Sequence, residues 1–256
     1  MEKKRLEFTG TGLKLIAVIT MFIDHIGAGI FEKSEAAQLA IENFWPWNYN
    51  SFDNIFRAIG RMAFPIYCFM LVEGFFHTKS RLKYAQRLLF IAVISEVPFD
   101  MLFRLSYFDF RYNNVLWELL LGLGVLCGLD YANNKDFSFT EKRWANDGLM
   151  VIVMLIGMGI GYLTHLDYSM SGICCISVMY KYYGTTKKDR LKSFGMGQLM
   201  LSLFNFFELP AFLMLLPMSR YEGHRGRDSK AMRTFFYFFY PAHIVVLYVI
   251  RTLLFG

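Results

Sequence analysis

Asp24 and His25 stand side by side in an apolar run, Met21-Phe22-Ile23-Asp24-His25-Ile26-Gly27. A histidine serves as a general base near neutral pH or as a transient acyl carrier, and a carboxylate beside it can orient the ring. Arg61 lies in a second apolar run, and a fixed cation steadies negative charge that develops in a transition state. Together the three suit proton abstraction coupled to group transfer. The same residue types also suit a buried polar network that only fixes helix packing, and residue types alone leave both readings open.

Placing these groups requires the elements that carry them. Of the 256 residues, 55% are hydrophobic and 19% charged, and mean hydropathy is +0.33. A soluble domain is less apolar and more charged, and a disordered chain far less apolar. Apolar runs at about 13–31, 55–76, 88–103, 114–131, 148–164, 169–183, 193–207, 209–218 and 235–254 predict an all-α, polytopic membrane bundle of about nine helices, with eight to ten allowed. The run at 209–218 is short and opens at Pro210, so it reads as a crossing or as a re-entrant segment. No internal repeat or linker divides the chain, which reads as one domain over residues 1–256. Met1-Glu2-Lys3-Lys4-Arg5 before an apolar run imitates a signal peptide, but Asp24-His25 falls where cleavage would occur, so a retained first helix is expected.

Charge sets the orientation. With a cytoplasmic N-terminus, 21 of the 27 Lys and Arg residues fall in inner segments and four, among them Arg251, in outer ones; Arg57 and Arg61 lie within the second run. The excess of +6 is then positive-inside bias, and nothing points to nucleic acid. The expected location is a bacterial cytoplasmic membrane, with membrane lipid as a partner. Phe44-Trp45-Pro46-Trp47 suits an interfacial aromatic belt, and Glu35 to Asn43 a short surface helix. Cys68, Cys127, Cys174 and Cys175 all lie in apolar runs and read as small core residues. No histidines sit at metal-ligand spacing with carboxylates, so no metal is expected.

An ionisable group at the centre of a bilayer costs about 2.5–3.5 kcal/mol or more, so every one in these runs needs a reason. Lys14, Ala17, Met21 and His25 share one helical face, which places His25 roughly 18 Å from the inner surface. Arg57, Glu73, Glu96, Asp100, Glu118 and His243 are further polar groups within or beside the runs, and His77 shares a face with Glu73. Pro241, after Tyr240, should kink the last helix and free a carbonyl near His243.

Several ordered blocks then resemble the TraX family, named for an F-pilin acetylase. They are Leu13 to Ala17 with Met21 to Gly27; Arg57-Ala58-Ile59-Gly60-Arg61-Met62-Ala63-Phe64-Pro65 continuing to Val72-Glu73-Gly74-Phe75-Phe76-His77-Thr78; Tyr84 and Arg87 with Ile94-Ser95-Glu96-Val97-Pro98-Phe99-Asp100; Gly223-His224-Arg225-Gly226; and Tyr240-Pro241-Ala242-His243. The chain departs from the family pattern at Trp117-Glu118-Leu119 after Asn114-Val115, at Ser169 after Asp167-Tyr168, and at Glu222. The resemblance implies a transmembrane acetyltransferase of the wider acyltransferase class. Acetyl-CoA would be the acyl-CoA donor, and the acceptor a peptide N-terminus or a surface sugar, glycan or lipid beyond the outer face. His25 would be the base or acyl carrier, Asp24 its orienter and Arg61 the oxyanion partner. Lys14, Arg57, Glu73, His77, Arg87, Glu96, Asp100, Asn114, Tyr240 and His243 would line a tunnel or hold its polar network. Lys79, Arg81, Arg225, Arg227 and Lys230 would hold the CoA phosphates. The alternative is a small-molecule transporter or export partner that uses the Asp/His/Arg cluster as a substrate or proton path.

Overall fold

The computed structural model describes residues 8–45, 49–135, 142–227 and 229–255. Lys3, Lys4, Arg5 and the Pro46-Trp47 part of the aromatic loop lie outside them. The described residues fold into helices joined by turns and loops, with no strand and two isolated bridges, Phe8 with Tyr221 and Asn113 with Leu166.

The helices are α1 (Gly10–Ile26), α2 (Glu35–Phe44), α3 (Tyr49–Gly60), α4 (Ala63–His77), α5 (Arg81–Phe99), α6 (Val115–Asn134), α7 (Lys142–Leu163), α8 (Ser169–Tyr182), α9 (Lys187–Phe204), α10 (Leu215–Met218) and α11 (Lys230–Phe255). Wider π turns continue α1 over Gly27–Phe31 and α5 over Asp100–Arg104, and a 3-10 segment, Phe206–Met214, leads into α10. Starts are set by side-chain caps that satisfy otherwise orphaned N–H groups: Thr9 on α1, Ser34 on α2, Ser80 on α5, Asn114 on α6, and a Thr186–Asp189 capping box on α9.

The expected second span is broken between α3 and α4. Pro65 has no N–H to give the carbonyl of Arg61 four residues back, and its ring crowds that carbonyl. The chain turns at Arg61-Met62, directly beside the candidate site.

Among the described residues, five helical stretches are long and apolar enough to cross a membrane: Gly10–Phe31, Asn50–His77, Val115–Asn134, Trp144–Leu163 and Lys230–Phe255. The other expected runs are helical too, but their length and composition do not carry the count of nine. α8 has 14 residues, about 21 Å against a hydrocarbon core of about 30 Å. α5 and α9 begin with clustered charge, and Phe206–Met218 is short. α5 nonetheless turns Leu89, Phe90 and Val93 outward, and α7 Ile152, Leu155 and Ile156, an apolar exterior suited to lipid.

Contacts join the helix ends into two faces. At one, Gly10 N donates to His224 O (2.8 Å), Arg81 pairs with Asp130 (2.8 Å), Lys181 pairs with Asp147, and Arg190 donates to Glu222 O (3.1 Å). This is the basic end. At the far end Asn113 N donates to His165 O (3.3 Å) and Arg61 pairs with Glu208 (3.1 Å). The main core lies between them, around Leu13, Ala17, Ile66, Phe69, Leu126, Ile173, Cys175 and Phe194. Cys68, Cys174 and Cys175 are buried and unbridged there, as their apolar settings predict. A second cluster holds Met21, Ala63, Phe99, Leu102, Tyr240, Ile244 and Leu247.

Candidate functional site

A cavity of about 310 Å³ connects the basic end to the second core cluster. Thr11, His77, Arg87, Arg225 and Arg227 line its mouth, and Val18, Met70, Leu88 and Ile91 line its apolar middle. Its inner limit is Met21, Val115, Phe239 and Tyr240. Met21 lies one turn before His25 on α1, and Tyr240 nearly one turn before His243 on α11.

The two imidazoles meet there. They lie nearly parallel, at 19°, with His25 Nδ1 2.7 Å from His243 Nε2. His243 Nδ1 lies 2.7 Å from the carbonyl oxygen of Phe239. A carbonyl only accepts, so His243 carries its hydrogen on Nδ1. Its Nε2 is then an acceptor, His25 donates from Nδ1, and His25 Nε2 keeps its lone pair. The tautomers follow from the hydrogen-bond pattern. Aromatic rings enclose the pair: Phe103 stands edge-on to His25 at 4.9 Å, and Phe239 stacks on His243 at 4.7 Å.

Asp24 does not orient His25. Consecutive residues on a helix point about 100° apart, so the imidazole faces α11 while the carboxylate faces α3. Asp24 accepts from Arg57 Nη1 at 2.7 Å, and Arg57 Nε also meets Glu32 at 3.3 Å. Gly60 permits this approach, because a Cβ there would overlap the Asp24 side chain. Arg61 does not face His25 across the cavity either. It pairs with Glu208, whose side chain is 2% exposed, in the Phe206–Met214 segment. Between α7 and α8, burial pushes the Asp167 carboxyl up, and the Tyr112 hydroxyl donates to it.

A family model described as TraX protein matches residues 9–251. The chain belongs to the TraX family. It is also similar to the "Probable fimbrial assembly protein FimC, serogroup H1" of Dichelobacter nodosus, 28% identical over 267 residues that cover 95% of this chain and 96% of the relative. The "Uncharacterized protein RP591" of Rickettsia prowazekii (strain Madrid E) is 24% identical over 181 residues, which cover 66% of this chain and 60% of that one. No solved structure matches the chain significantly.

The blocks that resemble TraX proteins have physical roles in this fold. Gly223-His224-Arg225-Gly226 docks on the start of α1. The Thr11 hydroxyl shares its one hydrogen between the carbonyls of Arg225 (2.9 Å) and Arg227 (2.8 Å), which ties the backbone of both arginines at the mouth. Gly226 has φ +77°, a conformation that other residues rarely adopt, and it sits against Thr9. Pro241 lies within a continuous α11. The carbonyl it leaves without an N–H is that of Tyr237, at the cavity wall, and His243 uses Phe239 instead.

The other expected residues divide. Lys14 and Arg87 line the cavity, Lys14 over the Phe236 ring at 5.7 Å. His77 lines the mouth, but its Nδ1 donates to the backbone oxygen of Glu73 (2.8 Å), while the Glu73 carboxylate accepts from Tyr221 (2.6 Å). Glu96 accepts from Trp117 (2.6 Å) and Asn114, and Asp100 from the N–H of Asp109 (2.8 Å), so these three brace the α5–α6 joint. Of the five residues expected at the CoA phosphates, only Arg225 and Arg227 line the cavity; Lys79 and Lys230 do not, and Arg81 is engaged by Asp130 and lies over Phe75 at 4.0 Å. Arg251, expected outside, is buried. It donates to the carbonyls of Gly29 (3.1 Å), Met101 (2.9 Å) and Leu102, all in the two π turns. Widened turns leave carbonyls without regular partners, which no spacing in the sequence announces. Among the described residues no group of three His, Cys, Asp or Glu could hold a metal.

Proposed function

We propose that this TraX-family protein is a membrane-embedded acetyltransferase that takes acetyl-CoA from the cytoplasm and acetylates an acceptor reached from the far end. One observation carries the reading: a single cavity joins an arginine-lined mouth to the foot of a histidine whose Nε2 is left as the free base. Arg225 and Arg227 would bind phosphate, where guanidinium forks suit its oxygens, and Arg87 would assist. The pantetheine arm would follow the apolar middle and bring the thioester to His25.

In this reading the acceptor's nitrogen or oxygen attacks the thioester carbon and passes its proton to His25 Nε2. The resulting imidazolium is steadied through Nδ1–H by His243. The C–S bond then breaks, and the thiolate takes the proton back from His25. Asp24 and Arg61 act as a neighbouring ionic frame that fixes α1 against α3 and the Phe206–Met214 segment.

The 21-to-4 basic asymmetry supports placing the mouth at the cytoplasmic side of a bacterial cytoplasmic membrane. The name of the Dichelobacter nodosus relative, a fimbrial assembly protein, favours a fimbrial or pilin-like peptide N-terminus over a surface sugar or lipid as acceptor.

The test is thermal unfolding of the detergent-purified protein with and without excess acetyl-CoA, followed by thiol release with candidate acceptors. A rise in midpoint with acetyl-CoA, and turnover lost in His25→Ala at unchanged folded yield, is expected. No shift at millimolar donor, or full turnover in His25→Ala, overturns the reading.

A further inference from the structure

Tyr240 is 6% exposed, lines the inner limit of the cavity, and its hydroxyl makes no hydrogen bond. Buried polar groups are nearly always paired, so this hydroxyl calls for an explanation. Its ring lies 6.1 Å from that of His25 and 5.6 Å from that of His243.

The neighbouring backbone sharpens the point. Val115 is the first residue of α6, a helix of 20 residues, so its N–H has no carbonyl one turn back. Asn114 caps this helix through the N–H of Leu116 (3.0 Å), not that of Val115. Val115 lines the same cavity, and its N–H points at the Tyr240 oxygen beyond ordinary hydrogen-bond geometry, which leaves the phenol hydrogen without an acceptor. The Tyr240 hydroxyl hydrogen is thus left without an acceptor at the inner limit of the cavity, near the histidine pair. The missing partner is an acceptor oxygen, and the positive end of α6 favours one that becomes negative.

We propose that the Tyr240 hydroxyl, polarised by the Val115 N–H aimed at its oxygen, is the oxyanion donor that holds the thioester carbonyl oxygen of the acyl donor. This rests on the acetyl-CoA reading. As the acceptor attacks, the C=O π pair moves onto that oxygen and the Tyr240 hydroxyl holds it. When the tetrahedral carbon collapses, the pair returns to remake the C=O bond and the C–S pair leaves with sulfur. Arg61, the sequence-level candidate for this role, is held by Glu208 and does not line the cavity.

The experiment uses acetonyl-CoA, a ketone that replaces the thioester and cannot transfer its acyl group. The infrared C=O stretch of the bound ketone is read in the full-length protein and in Tyr240→Phe, which removes only the hydroxyl. A downshifted stretch in the wild type that reverts toward its solution value in Tyr240→Phe is expected. Transfer in that variant should fall about 10²–10³-fold in kcat, with little change in KM for acetyl-CoA. An equal stretch in both proteins, or an unchanged kcat, overturns the assignment while leaving the acetyl-CoA reading intact. If the wild type binds neither acetonyl-CoA nor acetyl-CoA, both readings fall together.

Discussion

His25 and His243 lie 218 residues apart in the chain, and their Nδ1 and Nε2 atoms are 2.7 Å apart. The bond joins the first and last membrane helices, and Phe239 O fixes its direction by accepting from His243 Nδ1. A neutral imidazole therefore stands where a carboxylate was expected. It holds the tautomer of His25 without placing a second charge in the bundle.

Replacing His243 tests that role. In His243→Ala the His25 Nδ1–H loses its acceptor, and kcat should fall about 10²-fold or more. His243→Gln keeps a carbonyl that can accept from His25 and should recover part of the loss. The two variants should differ in kcat and not in KM for acetyl-CoA. Wild-type kcat in His243→Ala would remove His243 from the positioning of the base.

The arginines at the mouth separate from those beside it. A donor at 100 times its dissociation constant stabilises the folded state by about 2.7 kcal/mol. Arg225→Gln with Arg227→Gln should abolish the thermal shift. Arg81→Gln should keep it, because Arg81 belongs to Asp130 and lies off the cavity. Equal losses in both variants would point to a general effect of surface charge.

Arg251→Met should destabilise the fold more than the loss of any basic residue at the mouth. It leaves the carbonyls of Gly29, Met101 and Leu102 without their cationic donor in a water-poor setting. The expected cost is about 3 kcal/mol, read as a lower unfolding midpoint in detergent. A midpoint within error of the wild type would mean that those carbonyls find other partners.

Gly60→Ala forces a methyl into the Asp24 side chain and should weaken the Asp24–Arg57 pair. Overpacking of this kind costs about 1–3 kcal/mol. Gly124→Ala, with open space around its would-be Cβ, is the control and should be neutral. Equal midpoints for the two variants would show that Asp24 can move without cost.

Asp109, in the loop after the second π turn, lies between Arg104 (3.2 Å) and Arg111 (2.9 Å), which hold its carboxyl below the usual range. A depressed carboxyl contributes stability above its unfolded pKa of about 3.9 and loses it only as pH falls through the lower folded value. The gap in midpoint between wild type and Asp109→Asn should therefore stay constant from pH 7 to pH 5 and narrow below pH 4. A gap that already narrows between pH 7 and pH 5 would contradict this.

The amino-acid sequence by itself determined what depends on neighbours along the chain. Long apolar runs demand helices in lipid, because every backbone group must be paired internally, and the caps and prolines mark where those helices start and break. The one-sided distribution of Lys and Arg, the family blocks and the position of His25 on a face shared with Met21 are legible for the same reason. Helical periodicity relates a residue to those three or four places away. It is silent about which face of one helix meets which face of another. Only the tertiary structure therefore decided that His25 meets His243, that Asp24 takes Arg57, that Arg61 takes Glu208, that Arg251 turns inward, and that two of the five expected cationic residues reach the cavity. Those choices depend on the break that Pro65 imposes, on the width of the two π turns and on the small residues that let helices approach, and the contacts they create join residues far apart in the chain.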